Sequence, residues 1–201
     1  MSWKELRVQT FEDFLPNAEA YRDFLAAQEF YNIRHSDGEI YKHVNVRPPS
    51  EIRPHLEAGL KKPVTIDLCL ARMNFADELP NNAIHTDESF SPFAYILYLS
   101  RPQDCKGGTA FWIHRKYQWL GFPTDGDVLK TGKSKKRIYE MLREDMQNAD
   151  AWEQVHFAEM KFNKCICFPC SQWHSRWPFE AFGKSKETAR LINVGFFDVQ
   201  S

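Results

Sequence analysis

The sequence predicts a mostly β fold with supporting α-helices. Three observations carry this reading. After Pro63, Val64, Ile66, Leu68 and Leu70 alternate with Thr65, Asp67, Cys69 and Ala71, the period of a strand with two unlike faces. Further β-rich runs stand at 93–100, 109–114, 165–169 and 190–197. Helical spacing is confined to residues 18–58 and to a charged stretch within 121–160.

In chain order, Leu6, Val8 and Thr10 alternate as a short strand. Asn17 is placed to cap a helix over 18–30, whose stripe is Tyr21, Phe24, Leu25 and Gln28. Turn residues Ser36-Asp37-Gly38 precede a short strand from Ile40 to Val46. Ser50 is expected to cap a second helix over 50–58, with Gly59 as its left-handed end. If the strand from Val64 stays straight, it carries Arg72 and Asn74 onto its inward face, where polar groups need partners. A loop over 77–82 follows. Gly107-Gly108 permits a sharp turn or a close backbone approach before 109–114. Residues 115–160 read as an insertion between strands, with loop chemistry at 121–127, a basic cluster at 130–137 and one or two charged helices over 136–158. Pro169 ends the strand begun at Cys165.

A length of 201 residues suits a single domain, 1–201. The chain is 43% hydrophobic and 26% charged, a globular composition. The net charge of −1 gives no electrostatic argument for a nucleic-acid or membrane partner. No apolar run approaches a membrane span, and the first residues lack an apolar signal region. Five cysteines without an even framework read as reduced thiols, so a cytoplasmic location is expected.

The chemistry centres on Ile84-His85-Thr86-Asp87-Glu88. On an extended segment His85 and Asp87 point to one face and can share a metal ion. The pair alone is weak, because seven His and twelve Asp give such a spacing by chance about 0.4 times. A third ligand is required, and His174 is the best candidate. Two histidines and one carboxylate form the donor set of the non-haem Fe(II) facial triad, which leaves positions open for substrates. Other motifs are weaker. Cys165, Cys167 and Cys170 lack a second pair at zinc spacing. Gly132-Lys133-Ser134 lacks the earlier glycine of a phosphate loop, since that position is Asp127.

The order of these parts resembles the double-stranded β-helix (jelly-roll, cupin-like) of the Fe(II)/2-oxoglutarate-dependent dioxygenase superfamily. The likeness covers about residues 63–198 and is nearest to the prolyl-hydroxylase-like branch and its bacterial and phage relatives. It rests on His85-x-Asp87, on Cys167-Phe168-Pro169-Cys170 leading to His174, and on Gly107-Gly108-Thr109. The resemblance implies Fe(II) on His85, Asp87 and His174, with O2 and 2-oxoglutarate as cosubstrates. It implies that Arg190 and Tyr98 bind the distal carboxylate of 2-oxoglutarate. Arg190 lies sixteen residues after His174, a longer interval than is usual in this branch, which leaves Lys184 and Lys186 as alternatives. Asn74 or Arg72 would serve the other carboxylate. The implied reaction hydroxylates a C–H bond of a small molecule or peptide, with release of succinate and CO2.

Two rival readings keep the same donors: a non-catalytic cupin-like binding module and a zinc hydrolase. Neither needs Arg190. The insertion at 115–160 is expected to form a wall or lid over the pocket mouth, the alternative being that it packs on the outer face of the sheet.

Overall fold

The computed structural model describes residues 7–34, 40–78 and 83–200. Its strands are β1 (Gln9–Phe11), β2 (Tyr31–Arg34), β3 (Ile40–Val46), β4 (Val64–Asn74), β5 (Phe93–Tyr98), β6 (Gly108–His114), β7 (Trp152–Glu159), β8 (Cys165–Pro169), β9 (His174–Trp177) and β10 (Arg190–Val199). The helices are α1 (Ala18–Ala26), α2 (Arg53–Leu60), α3 (Asp125–Lys130) and α4 (Lys135–Asp145).

The strands form two antiparallel sheets. The large one runs β1-β8-β5-β10-β4-β3-β2 and the small one β7-β6-β9. An isolated bridge between His85 and His174 extends the small sheet by one short segment. From β4 onward the chain visits large sheet, His85 segment, large, small, small, large, small, large. That alternation is the jelly-roll winding, a double-stranded β-helix on helical supports.

Strand parity divides the core into three layers. Cys69, Ala71 and Met73 of β4, Tyr95 and Leu97 of β5, and Cys165 and Cys167 of β8 pack with Leu25, Ile52 and Leu56 of the N-terminal helices. The opposite parity, Ala94, Ile96, Tyr98, Ile166, Phe168 and Ile192, meets Phe111 and Ala158 of the small sheet. On that sheet's far face Ala110 and Trp112 pack with Trp119, Val128, Ile138, Leu142, Trp152 and Trp173. Side chains of β4 therefore alternate between the helix layer and the interior, which puts Arg72 and Asn74 inside.

Several local expectations change. The helix from Ala18 ends at Ala26, and Asn17 stands at its N-cap without a capping side-chain bond. Ser50 lies in a 3-10 turn, Pro49–Glu51, and caps nothing. Lys61, not Gly59, takes the left-handed position after α2, with φ of 56°. Gly59 serves packing instead: a Cβ there would lie 2.9 Å from the Phe11 ring. Leu6, the turn at 36–38 and most of the 77–82 loop lie outside the described residues.

The largest correction concerns 136–158. Its second half is not helix but strand β7, paired with β6. The reason is physical. Only Trp152 and Ala158 of β7 are buried, and a register shift opposite Phe111/Trp112 breaks the period. The sequence therefore shows no alternation to read. The helices α3 and α4 sit on the outer face of the small sheet, so they do not form a lid. Gly107 and Gly108 behave as expected. Gly107 has φ of 67°, and a Cβ at either glycine would run into a carbonyl oxygen, of Trp177 and Ala158 respectively.

Candidate metal centre

His85 and His174 face each other across the bridge. The His85 amide donates to the His174 carbonyl at 3.0 Å, and the His174 amide returns the bond to His85 at 2.9 Å. Directly opposed residues of an antiparallel pair point to the same side, and the two imidazole centroids lie 4.5 Å apart. Asp87, two residues on, is held by its amide to the Cys170 carbonyl at 2.8 Å. Its carboxylate reaches His174 Nε2 at 3.2 Å and His85 Nε2 at 3.9 Å.

One ligand atom from each residue lies within 4.8 Å of the others, and among the described residues this is the one such cluster of three. Adjacent donors on an octahedral ion with bonds of about 2.1 Å stand roughly 3 Å apart. The separations fit that with a small closure. The orientation fits as well. Each Nδ1 faces a backbone carbonyl, His174 to Gln172 at 2.9 Å and His85 to Ala83 at 3.4 Å. An Nδ1–H donated there leaves both Nε2 lone pairs aimed inward.

The electrostatics favour the ligating protonation states. Burial and the neighbouring His174 push the His85 pKa down to about 4, although 36% of its side-chain surface is accessible. Burial pushes Asp87 up, but the His174 hydrogen bond and the charges of both histidines and Arg72 outweigh it and hold the carboxylate below its usual range. His85 is thus held as neutral imidazole and Asp87 as carboxylate. Phe111 and Phe168 close one side, with ring centroids 6.3 and 4.7 Å from that of His174.

The ligand segments are anchored from outside. Ile84 and Trp173, the immediate neighbours of the two histidines, point into the outer layer with Ile138 and Leu142 of α4. The Ile84 amide donates to the Met146 carbonyl at 3.2 Å, just past α4.

Deeper in the barrel Arg190 opens β10, opposite Asn74 of β4. Arg190 Nη1 donates to Asn74 Oδ1 at 3.1 Å, and Asn74 Nδ2 donates to Glu78 at 3.3 Å. Arg190 Nε is buried without a hydrogen-bond partner among the described residues. Burial, Arg176 and Arg72 press the Arg190 pKa down to about 9, with Tyr98 acting the other way. Tyr98 crosses the barrel, its hydroxyl donating to Thr109 Oγ1 at 2.7 Å. Burial lifts its pKa to about 12. A cavity of about 150 Å³ opens beside Arg190, lined also by Arg176, Trp177, Pro178, Ala181 and Phe182. Lys184 and Lys186 lie on an exposed turn.

Sequence reasoning missed Arg176. It follows His174 by two residues on β9, so the parity that joins His85 to Asp87 also sends Arg176 inward.

No protein-family model and no curated protein sequence matches the chain. Solved structures do match. The non-haem alpha ketoglutarate dependent carbocyclase SnoK from nogalamycin biosynthesis superposes with a TM-score of 0.57 at 11% identity, over 97% of this chain and 80% of its own. The epimerase SnoN of the same biosynthesis gives 0.55 at 12% identity, over 98% and 79%. Iron-bound HygX from Streptomyces hygroscopicus gives 0.54 at 11% identity, over 96% and 82%. The chain has their fold. The structural neighbours are iron- and 2-oxoglutarate-dependent enzymes; this chain has their jelly-roll fold, and its own His85, Asp87 and His174 cluster inside it. Among the described residues no helix is long and apolar enough to cross a membrane.

Proposed function

We propose that this protein is a non-haem Fe(II)- and 2-oxoglutarate-dependent dioxygenase that hydroxylates a C–H bond of a small molecule or peptide, in the manner of the prolyl-hydroxylase-like branch. The observation that supports it most is the convergence of His85, Asp87 and His174 inside this barrel. Their Nε2 atoms and carboxylate would hold the iron. When bound, Fe(II) supplies open positions for a bidentate 2-oxo acid and O2, coupling loss of CO2 to oxidation of the main substrate.

The chain's own groups do the rest. The Gln172 and Ala83 carbonyls set the histidine tautomers. Arg190, oriented by Asn74, offers a planar fork to the distal carboxylate, and the Tyr98 hydroxyl becomes a second donor on turning from Thr109 Oγ1. Phe111 and Phe168 keep water from the ligand side of His174. HygX with nickel, 2-oxoglutarate and hygromycin B, and SnoN with Fe3+, alpha ketoglutarate and a nogalamycin, support an organic small molecule as main substrate.

Succinate and CO2 should form from 2-oxoglutarate only when Fe(II) is supplied, slowly in the absence of the main substrate. Equal succinate formation by Asp87→Ala would overturn the reading.

A further inference from the structure

One inward-facing cation, which the resemblance offers beside Asn74 for the cosubstrate's other carboxylate, is given no part in the function proposed above. Arg72 lies on the interior face of β4, in register with Ile192 of β10 on one side and Val44 of β3 on the other. The charges that act on it are Glu78, Tyr41 and Asp87, so it stands close to a proposed iron ligand. Its guanidinium carbon is 5.8 Å from the Tyr41 ring centroid. Its Nε is buried without a hydrogen-bond partner among the described residues. The residue as a whole is nevertheless partly exposed.

The two neighbouring guanidiniums differ. Arg176 donates to the carbonyls of Phe179 and Glu78 and so pins the loop after β9. Arg190 is oriented by Asn74. Arg72 makes no hydrogen bond or ion pair among the described residues.

Charge balance points the same way. A divalent metal is neutralised by Asp87 and one cosubstrate carboxylate, and Arg190 by the other. Arg72 and Arg176 then share one partly buried carboxylate, Glu78, whose side chain is 11% exposed. Glu180, the other acid acting on Arg176, is on the surface. Among the described residues one positive charge is left over within reach of the charges of Asp87 and His85, and an unmatched cation there is costly unless a ligand brings an anion.

We propose that Arg72 binds a carboxylate of the main substrate and so fixes that substrate next to the metal. The inference rests on the function proposed above. A carboxylate matches the guanidinium fork with two parallel hydrogen bonds and satisfies the orphan Nε.

The test uses the full chain loaded with Mn(II), which relaxes nearby protons, and saturated with 2-oxoglutarate. The probes are benzoate against benzamide, N-acetylphenylalanine against its amide, and phenyl phosphate. Relaxation enhancement should be strong for the acids and weak for the amides. Arg72→Gln should weaken acid binding about ten- to a hundredfold, with Arg72→Lys intermediate, while 2-oxoglutarate affinity changes less than about threefold. Acids and amides binding alike would overturn the proposal. So would phenyl phosphate binding more tightly than the acids, or an equal loss of 2-oxoglutarate affinity in Arg72→Gln, which would make Arg72 a cosubstrate ligand. Failure of the parent protein to bind 2-oxoglutarate, read before any acid is added, would instead overturn the function and this inference with it.

Discussion

His85 and His174 exchange backbone hydrogen bonds in both directions, at 3.0 and 2.9 Å. Residues 89 positions apart are thereby fixed side by side. The bridge sets the spacing of the two imidazoles before any ion arrives, and Asp87 follows from it by parity. A preformed donor set of this kind should bind metal without large rearrangement.

Metal should therefore stabilise the fold measurably. At one hundred times its dissociation constant, a metal bound only by the native state adds about 2.7 kcal/mol. For a chain of this size that is roughly 5–10 °C in Tm. Asp87→Ala and His174→Ala should lose most of this shift in thermal melts with Fe(II) under argon or with Zn(II). An undiminished shift in either variant would place the metal elsewhere.

Arg190 should matter to the cosubstrate and not to the ion. Arg190→Ala is expected to weaken 2-oxoglutarate binding on the order of a hundredfold, the loss of a charge-assisted bidentate contact. Metal affinity should stay nearly constant. Tyr98→Phe should cost less, about 0.5–1.5 kcal/mol. Calorimetric titration of metal and then cosubstrate separates the two effects. Unchanged cosubstrate affinity in Arg190→Ala would return the role to Lys184 or Lys186.

The outer layer should control the site at a distance. Leu142 is 1% exposed and packs with Ile84 and Trp173, which flank the two histidines. Leu142→Ala should destabilise the protein by about 2–5 kcal/mol and also weaken metal binding, because both ligand segments lean on that layer. Urea unfolding of the metal-free protein gives the first quantity and metal titration the second. Loss of stability with unaltered metal affinity would limit α4 to a purely structural role.

The metal-free protein should lose stability in mild acid because of His85. Its folded pKa of about 4 lies below the unfolded value near 6.5. Between these limits the unfolded chain takes up a proton that the folded chain refuses, so this contribution is complete above pH 6.5, falls with pH, and levels off below about 4. His85→Gln should flatten the curve of Tm against pH in that window. An identical slope in both proteins would contradict the assignment.

The sequence showed most of this where burial imposed a period. Strands β4, β5 and β10 bury one or both faces, so their alternation or apolar runs were readable. Residue type and order single out the His-x-Asp pair and His174, which cluster; Arg190 and Tyr98 come only from the resemblance, and both are buried in the same barrel. Exposed edges were not readable. All four residues of β2 are exposed, and β7 buries only Trp152 and Ala158. The role of 115–160 was hidden for another reason. Whether Ile138 and Leu142 cover a mouth or a back face depends on which side of β6 they meet, and that is a tertiary fact. Gly59 likewise looked like a helix end because glycine favours one, whereas here it makes room for Phe11.

The central claim is that His85, Asp87 and His174 hold an Fe(II) ion that takes 2-oxoglutarate as a ligand. Anaerobic titration of the Fe(II)-loaded protein with 2-oxoglutarate, followed by visible absorption, tests it most directly. A saturable metal-to-ligand charge-transfer band should appear in the parent protein and be absent from His85→Ala and Asp87→Ala. No band in the parent at saturating Fe(II) and 2-oxoglutarate, or an undiminished band in either variant, would contradict the account.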